Sequence, residues 1–188
     1  MEYPEKIIEL LSNNMTERSF KLWQGINSMI PDTWSRPTSS TNKYHKKLNG
    51  EVPTNAEHVY EMLYTAVKIL RLFEIKLKTS DCDKLLFAIS LHDILKYGKM
   101  GDRKHTDISH DKEAADLVSN NKQTFLEILT EEQFAIMEEC MRFHSGRWST
   151  NVLKNKPFSF KDYNPETLFV HILDMMSAAD LIQTDVRQ

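Results

Sequence analysis

The run FAISLHDILKYG, residues 87–98, sets an aspartate directly after a histidine at the end of an apolar stretch. Phe87 to Leu91 have the character of a core helix. His92 lies three residues after Ile89 and seven after Leu85, so it extends the inward stripe of that helix. A carboxylate carried to the end of a core helix costs free energy unless a cation or a set of donors meets it. Any fold open to this chain must therefore bring a partner to Asp93.

The elements available to do so are helical. The chain holds only five glycines, and its apolar residues recur three and four apart. Helices are expected over 4–12 and 16–30. Residues 31–53, PDTWSRPTSSTNKYHKKLNGEVP, are too long and too polar for a plain connection, which marks them as disordered or functional. Thr54 with Glu57 has the spacing of a capping box ahead of a third helix. Further helices are expected from about Asp81 to Tyr97, from Ser109 to Asn120, and from Thr130 to His144, where Gln133 completes a second capping box. In the last, Asn164 caps and Pro165 takes the first position. The expectation is an all-α protein of one domain, residues 31–188, with an N-terminal helical extension over residues 1–30.

Bulk composition excludes several classes of function. The formal net charge is −3, so no global field draws the 188-residue chain to nucleic acid or to a membrane, and phosphate recognition has to be local. The two cysteines, Cys82 and Cys140, form no C-x-x-C pair and read as free thiols of a reducing compartment. The N-terminus MEYPEKIIEL lacks the apolar run of a signal peptide, and no stretch reaches the ~18 apolar residues of a membrane span. A cytoplasmic location is expected.

Seven histidines occur, and their placement matters more than their number. A lone histidine is more often a hydrogen-bonded core or surface residue than a ligand. Here His58 lies in the first turn of a capped helix, and His144 follows Met137 and Met141 on an inward face. His110 opens a helix whose apolar positions are Ala114, Leu117 and Val118. Asp174 falls inside the apolar run LFVHILDMM. Several helices thus each set a nitrogen or oxygen ligand at or near a core-facing position, a donor set suited to Mn, Fe, Co, Ni or Zn and less to Mg. A shared cation would meet both Asp93 and Asp174. The competing arrangement pairs each acid with a buried Lys or Arg, for which the core runs offer few residues.

The ordered set His58, His92-Asp93 and Asp174 resembles the H…HD…D signature of the HD-domain metal-dependent phosphohydrolases. The surrounding EHVYEMLYTA, LLFAISLHDILKYG and VHILDMMSAAD are similar as well, over roughly residues 40–182. The resemblance implies an HD-type helical bundle in which His58, His92, Asp93 and Asp174 hold one metal. His110 and His144 fall where two-metal members place extra histidines, implying a second ion bridged by Asp93. Lys43-Tyr44-His45 resembles a loop that precedes the first ligand in small bacterial and phage members. Two departures stand out. Leu95 replaces the glycine of the familiar H-D-I-G-K form, and no G-Y-P element of the cyclic-di-GMP branch is present. Asp180 competes with Asp174 for the last ligand position, with Asp174 in better register.

Basic residues cluster near the proposed ligands. Lys96, one turn beyond Asp93, can reach a phosphate or compensate the helix dipole. Arg147 and Trp148 follow His144, offering a guanidinium fork for phosphate and an indole for stacking on a base. Lys43 and His45 are further substrate-binding candidates, whereas Lys46, Lys47 and Lys104 read as surface lysines. With Asp93 and Lys96 in the catalytic role, the reading is metal-dependent hydrolysis of a phosphate ester or anhydride of a nucleotide or small signalling nucleotide. The partner is then a small phosphorylated substrate, neither a membrane nor a nucleic-acid polymer, and homo-oligomerisation is left open. The rival is a non-catalytic HD-fold protein that binds metal and nucleotide as a sensor or sequestering factor. A third reading makes the histidines structural and the helices an interaction module.

Overall fold

The computed structural model describes residues 2–39, 45–47, 49–149, 153 and 159–179. Among these the secondary structure is helical, with no strand. The helices are α1 (Tyr3–Asn14), α2 (Glu17–Ser28), α3 (Asn55–Leu72), α4 (Ser80–Leu91), α5 (His110–Asn120), α6 (Lys122–Leu126), α7 (Glu131–Phe143) and α8 (Pro165–Ala178). Short 3₁₀ turns cover Gly146–Trp148 and Phe160–Asp162.

The centre of the molecule is α4. From Cys82 to Leu91 every residue is buried, so this helix has no solvent face and needs neighbours on all sides. It packs against α3, α7 and α8, and α8 also touches α3 and α7; α1 lies against α3, and α5 against α7. Leu86, Phe87, Ala88 and Ile89 of α4 meet Met62 and Leu63 of α3, Met137 and Met141 of α7, and Val170 and Leu173 of α8 in one core. The N-terminal helices share it through Ile7, Leu11, Met15, Trp23 and Ile26. Asp83, fully buried at the start of α4, fastens the α1–α2 corner by accepting from the Thr16 amide at 3.1 Å and the Thr16 hydroxyl at 2.6 Å.

The capping expectations divide. Thr130 and Gln133 make the reciprocal capping box. Thr54 does accept from the Glu57 amide, at 3.2 Å, but the Glu57 carboxylate turns away to accept from the Tyr3 hydroxyl at 2.9 Å and to pair with Lys47. Lys47 is therefore a half-buried structural partner, not a surface lysine. Asn164 stands at the N-cap of α8 without a side-chain cap bond; its amide donates to Glu139 at 3.2 Å instead. Helix α6 was not expected, because five residues carry too little periodicity to stand out.

The long polar segment before α3 is partly ordered by that helix's exposed N-terminal donors. Asn55 and Ala56 donate their amides to the carbonyls of Arg36 (2.7 Å) and Trp34 (3.0 Å), and Pro37 bridges to Thr54. Arg36 lies 3.8 Å above the Tyr97 ring and donates to the carbonyls of Gly101 (2.9 Å) and Arg103 (2.8 Å). The segment is thereby tied to the loop beyond the His-Asp doublet.

Candidate metal centre

The predicted helix over 81–97 ends six residues early, at Leu91, and that ending builds the site. Past Leu91 the backbone tightens to three-residue bonds: Ile94 to Leu91 (3.3 Å), Lys96 to Asp93 (3.0 Å) and Gly98 to Leu95 (2.8 Å). The last carbonyls of a helix lack intrahelical partners. The His92 ring takes one of them, its Nδ1 donating to Ile89 O at 2.7 Å. His144 repeats this at the end of α7, with Nδ1 on Met141 O at 2.7 Å. His110, opening α5, sets Nδ1 on Asp107 O at 2.6 Å. Gly98, at φ +78°, lets the chain reverse, and the Asp107 amide then reaches Lys96 O at 2.7 Å.

His58 is held through side chains. The Ser177 hydroxyl donates its single proton to Glu61 Oε2 at 2.9 Å, so it accepts from His58 Nδ1–H, also at 2.9 Å. In all four histidines Nδ1 is committed as a donor, which leaves the Nε2 lone pair as a ligand. Anchoring of this kind fixes tautomer and ring orientation in metal sites.

The four Nε2 atoms converge on Asp93. His92 Nε2 lies 3.3 Å and His58 Nε2 3.7 Å from Asp93 Oδ2. His110 Nε2 lies 3.1 Å and His144 Nε2 3.6 Å from Oδ1. His58 Nε2 is also 3.3 Å from His92 Nε2 and 3.2 Å from Asp174 Oδ1, while His110 and His144 Nε2 are 3.2 Å apart. Lone pairs of imidazole and carboxylate facing one another at such distances repel unless a proton or a metal ion lies between them. Asp93 Oδ1 is buried without a hydrogen-bond partner. Three groups, His45–His58–Asp174, His58–His92–Asp93 and Asp93–His110–His144, each bring one ligand atom per residue within 4.8 Å of one another. The donor chemistry and the orphaned oxygen both fit divalent transition metals.

Charge around the site agrees with that fit except at His110, where burial is outweighed by the Asp93 carboxylate, which raises the imidazole pKa. Burial holds the His58 and His144 imidazoles below their usual pKa, and His45 well below, favouring the neutral form that ligates metal. Burial opposes ionisation of Asp93, yet the Lys96 ammonium beside it holds it well into the carboxylate form.

The remaining expectations fare unevenly. Lys96 is buried and paired with Asp93 Oδ2, so the acid does have a lysine partner, supplied by the turn after α4 and not by a core helix. Its ammonium serves neither the helix dipole nor open solvent. His45 lies edge-on to His58, ring centroids 4.7 Å apart. Arg147 and Trp148 sit on the exposed 3₁₀ turn just past His144, the guanidinium 4.3 Å above the indole. Lys43 and Asp180 lie outside the described residues.

Three positioning groups escaped the sequence reading. Glu61 and Ser177 lie one helical turn beyond His58 and Asp174, and that i,i+3 spacing on the same faces was the available signal. His171 donates from Nδ1 to the His144 carbonyl at 2.5 Å, a contact no spacing announces.

No curated protein and no solved structure matches the chain. The family model of the HD domain matches residues 55–180, from the first residue of α3 to just past α8. That span contains His58, His92-Asp93, His110, His144 and Asp174 in the order in which the folded chain brings them together, and the chain belongs to the HD-domain family.

Proposed function

We propose that this HD-domain protein is a metal-dependent phosphohydrolase acting on a nucleotide or another small phosphorylated metabolite. The observation that carries the reading is the convergence of four Nε2 atoms on both oxygens of one buried carboxylate whose Oδ1 has no partner of its own. His58, His92, Asp93 and Asp174 would hold one ion. His110 and His144 would hold a second, with Asp93 shared between the two. Divalent metals in such a pair polarise a phosphoryl group and make water acidic enough to attack it.

The chain's own groups have distinct tasks. Lys96 neutralises Asp93 from the Oδ2 side and keeps a buried positive charge beside the position where phosphoryl charge would grow. Ser177 and Glu61 orient His58. Arg147 and Trp148 supply a guanidinium for phosphate and an indole for a base at the rim, and Lys43 is a further candidate for the phosphate. Among the described residues no helix is long and apolar enough to cross a membrane, and the local basic groups suit a small anion better than a polymer.

The test is metal content and phosphate release on one preparation, stripped and then reloaded with Mn, Co or Mg, across nucleoside monophosphates, dinucleoside polyphosphates and signalling nucleotides. Two bound equivalents are expected, falling to about one in His110→Ala or His144→Ala, together with turnover of at least one substrate class. Metal and nucleotide binding without turnover throughout the panel would make the protein a binding factor instead.

A further inference from the structure

His45 stands outside the span matched by the family model, in the loop that leads into α3. Its backbone is left-handed, φ +56°, a conformation that crowds the β-carbon of any residue but glycine. Its ring is directed inward even so. The ring centroid lies 4.7 Å from that of His58, nearly perpendicular, and a ring nitrogen falls within 4.8 Å of ligand atoms of both His58 and Asp174. The Nδ1 atom is shut away from solvent and has no hydrogen-bond partner. The loop is fixed two residues later, where Lys47 pairs with Glu57, the residue before His58, and its amide donates to Glu51 O at 2.9 Å.

A strained backbone that carries a half-buried imidazole to two ligands, with an unpartnered nitrogen, needs a compensating interaction. Strain of this kind persists where the surroundings over-determine it, typically at ligand clamps. The ring stands edge-on to His58 and sets a nitrogen within 4.8 Å of an Asp174 oxygen, a position that suits a shared cation. We propose that His45 is a fifth protein ligand of the metal position formed by His58, His92, Asp93 and Asp174. The inference rests on the metal-holding reading above. Its consequence is asymmetry: five protein donors leave fewer exchangeable positions than the three of Asp93, His110 and His144, so substrate and water enter mainly at the second position.

The experiment uses the full chain, stripped of metal, as wild type, His45→Gly and His45→Asn. Mn(II) and Zn(II) are titrated calorimetrically, and the step lost in His58→Ala identifies the first position. Melting of the metal-free proteins is measured in parallel. In both variants that step should weaken about tenfold or more, at least as much as loss of an outer-shell partner. Metal-free Tm should hold or rise in His45→Gly, since glycine adopts positive φ without crowding, and stay near wild type in His45→Asn, a residue that tolerates this region. Affinity within about twofold of wild type in both variants would overturn the assignment, because loss of a true ligand costs more than that. A fall in metal-free Tm in both would also overturn it, making the ring a packing element. Wild type that takes up neither ion would instead remove the metal reading itself, before any His45 variant is compared.

Discussion

Asp93 faces two sets of imidazoles with its two oxygens while Lys96 holds one of them, so its removal has two separable effects. Truncation to alanine leaves a buried ammonium unpaired, a change that typically costs about 3–5 kcal/mol. Asparagine keeps the shape and an acceptor for Lys96 but loses the charge that attracts a cation. If the proposed function holds, Asp93→Asn is expected to lose metal binding and phosphate release while helical circular dichroism persists, and turnover near wild type would take Asp93 out of the reaction. Ser177 acts one bond further out. Ser177→Ala removes the acceptor that fixes the His58 tautomer and leaves Glu61 Oε2 without that donor. Metal affinity is expected to fall about 10–100-fold, read by chelator competition, with the remaining metal step intact. At this scale the candidate ligands that the fold brings together were legible in the sequence because each is a rare residue type on an otherwise apolar face. The groups that orient them were not, because a serine and a glutamate on a helix are unremarkable until the helices are packed.

The ends of elements, more than their middles, shape the centre. Helices α4 and α7 both stop one residue before a histidine, and that histidine's Nδ1 satisfies a carbonyl of the final turn. The extended prediction for α4 failed here: the apolar periodicity continues through Ile94 and Leu95, which are buried, although the backbone has left the α-helix. Burial follows from the pattern, but the hydrogen-bond geometry is decided by what the histidine side chain captures. The turn after α7 depends on Gly146, at φ +57°, where an added Cβ would lie 2.6 Å from His171 Cε1. Gly146→Ala is expected to push His171 off the His144 carbonyl and to destabilise the fold by about 1–3 kcal/mol, a range typical of strained backbone positions. Thermal melting would measure that loss, and a weaker Asp93–His110–His144 metal step would accompany it. An unchanged melt with unchanged metal affinity would show that the turn is free to rearrange.

Across the whole molecule one core serves both the N-terminal helices and the matched domain, and the two cysteines report on it. Cys140 lies in that core, where burial pushes its thiol up to about 12, and Cys82 is buried at the start of α4. A thiol so placed is neither accessible nor ionised near neutral pH. The native protein is expected to resist a thiol-specific chromogenic reagent at neutral pH and to react at both positions once denatured. Rapid labelling of Cys140 in the native state would mean that α7 and α8 separate far more readily than their packing indicates. The sequence by itself determined the all-α class, the main helices and which polar side chains lie on apolar faces as candidate ligands, since periodicity, caps and polar residues on apolar faces are local properties. Tertiary structure alone decided that α1 and α2 join the core, that Lys96 pairs with Asp93, and that Glu57 leaves its cap for Tyr3 and Lys47. It also placed His45 against His58 from a loop with no periodicity. Each of these depends on which groups meet across distances the chain spans only after folding, and a buried charge takes whichever partner packing brings within reach.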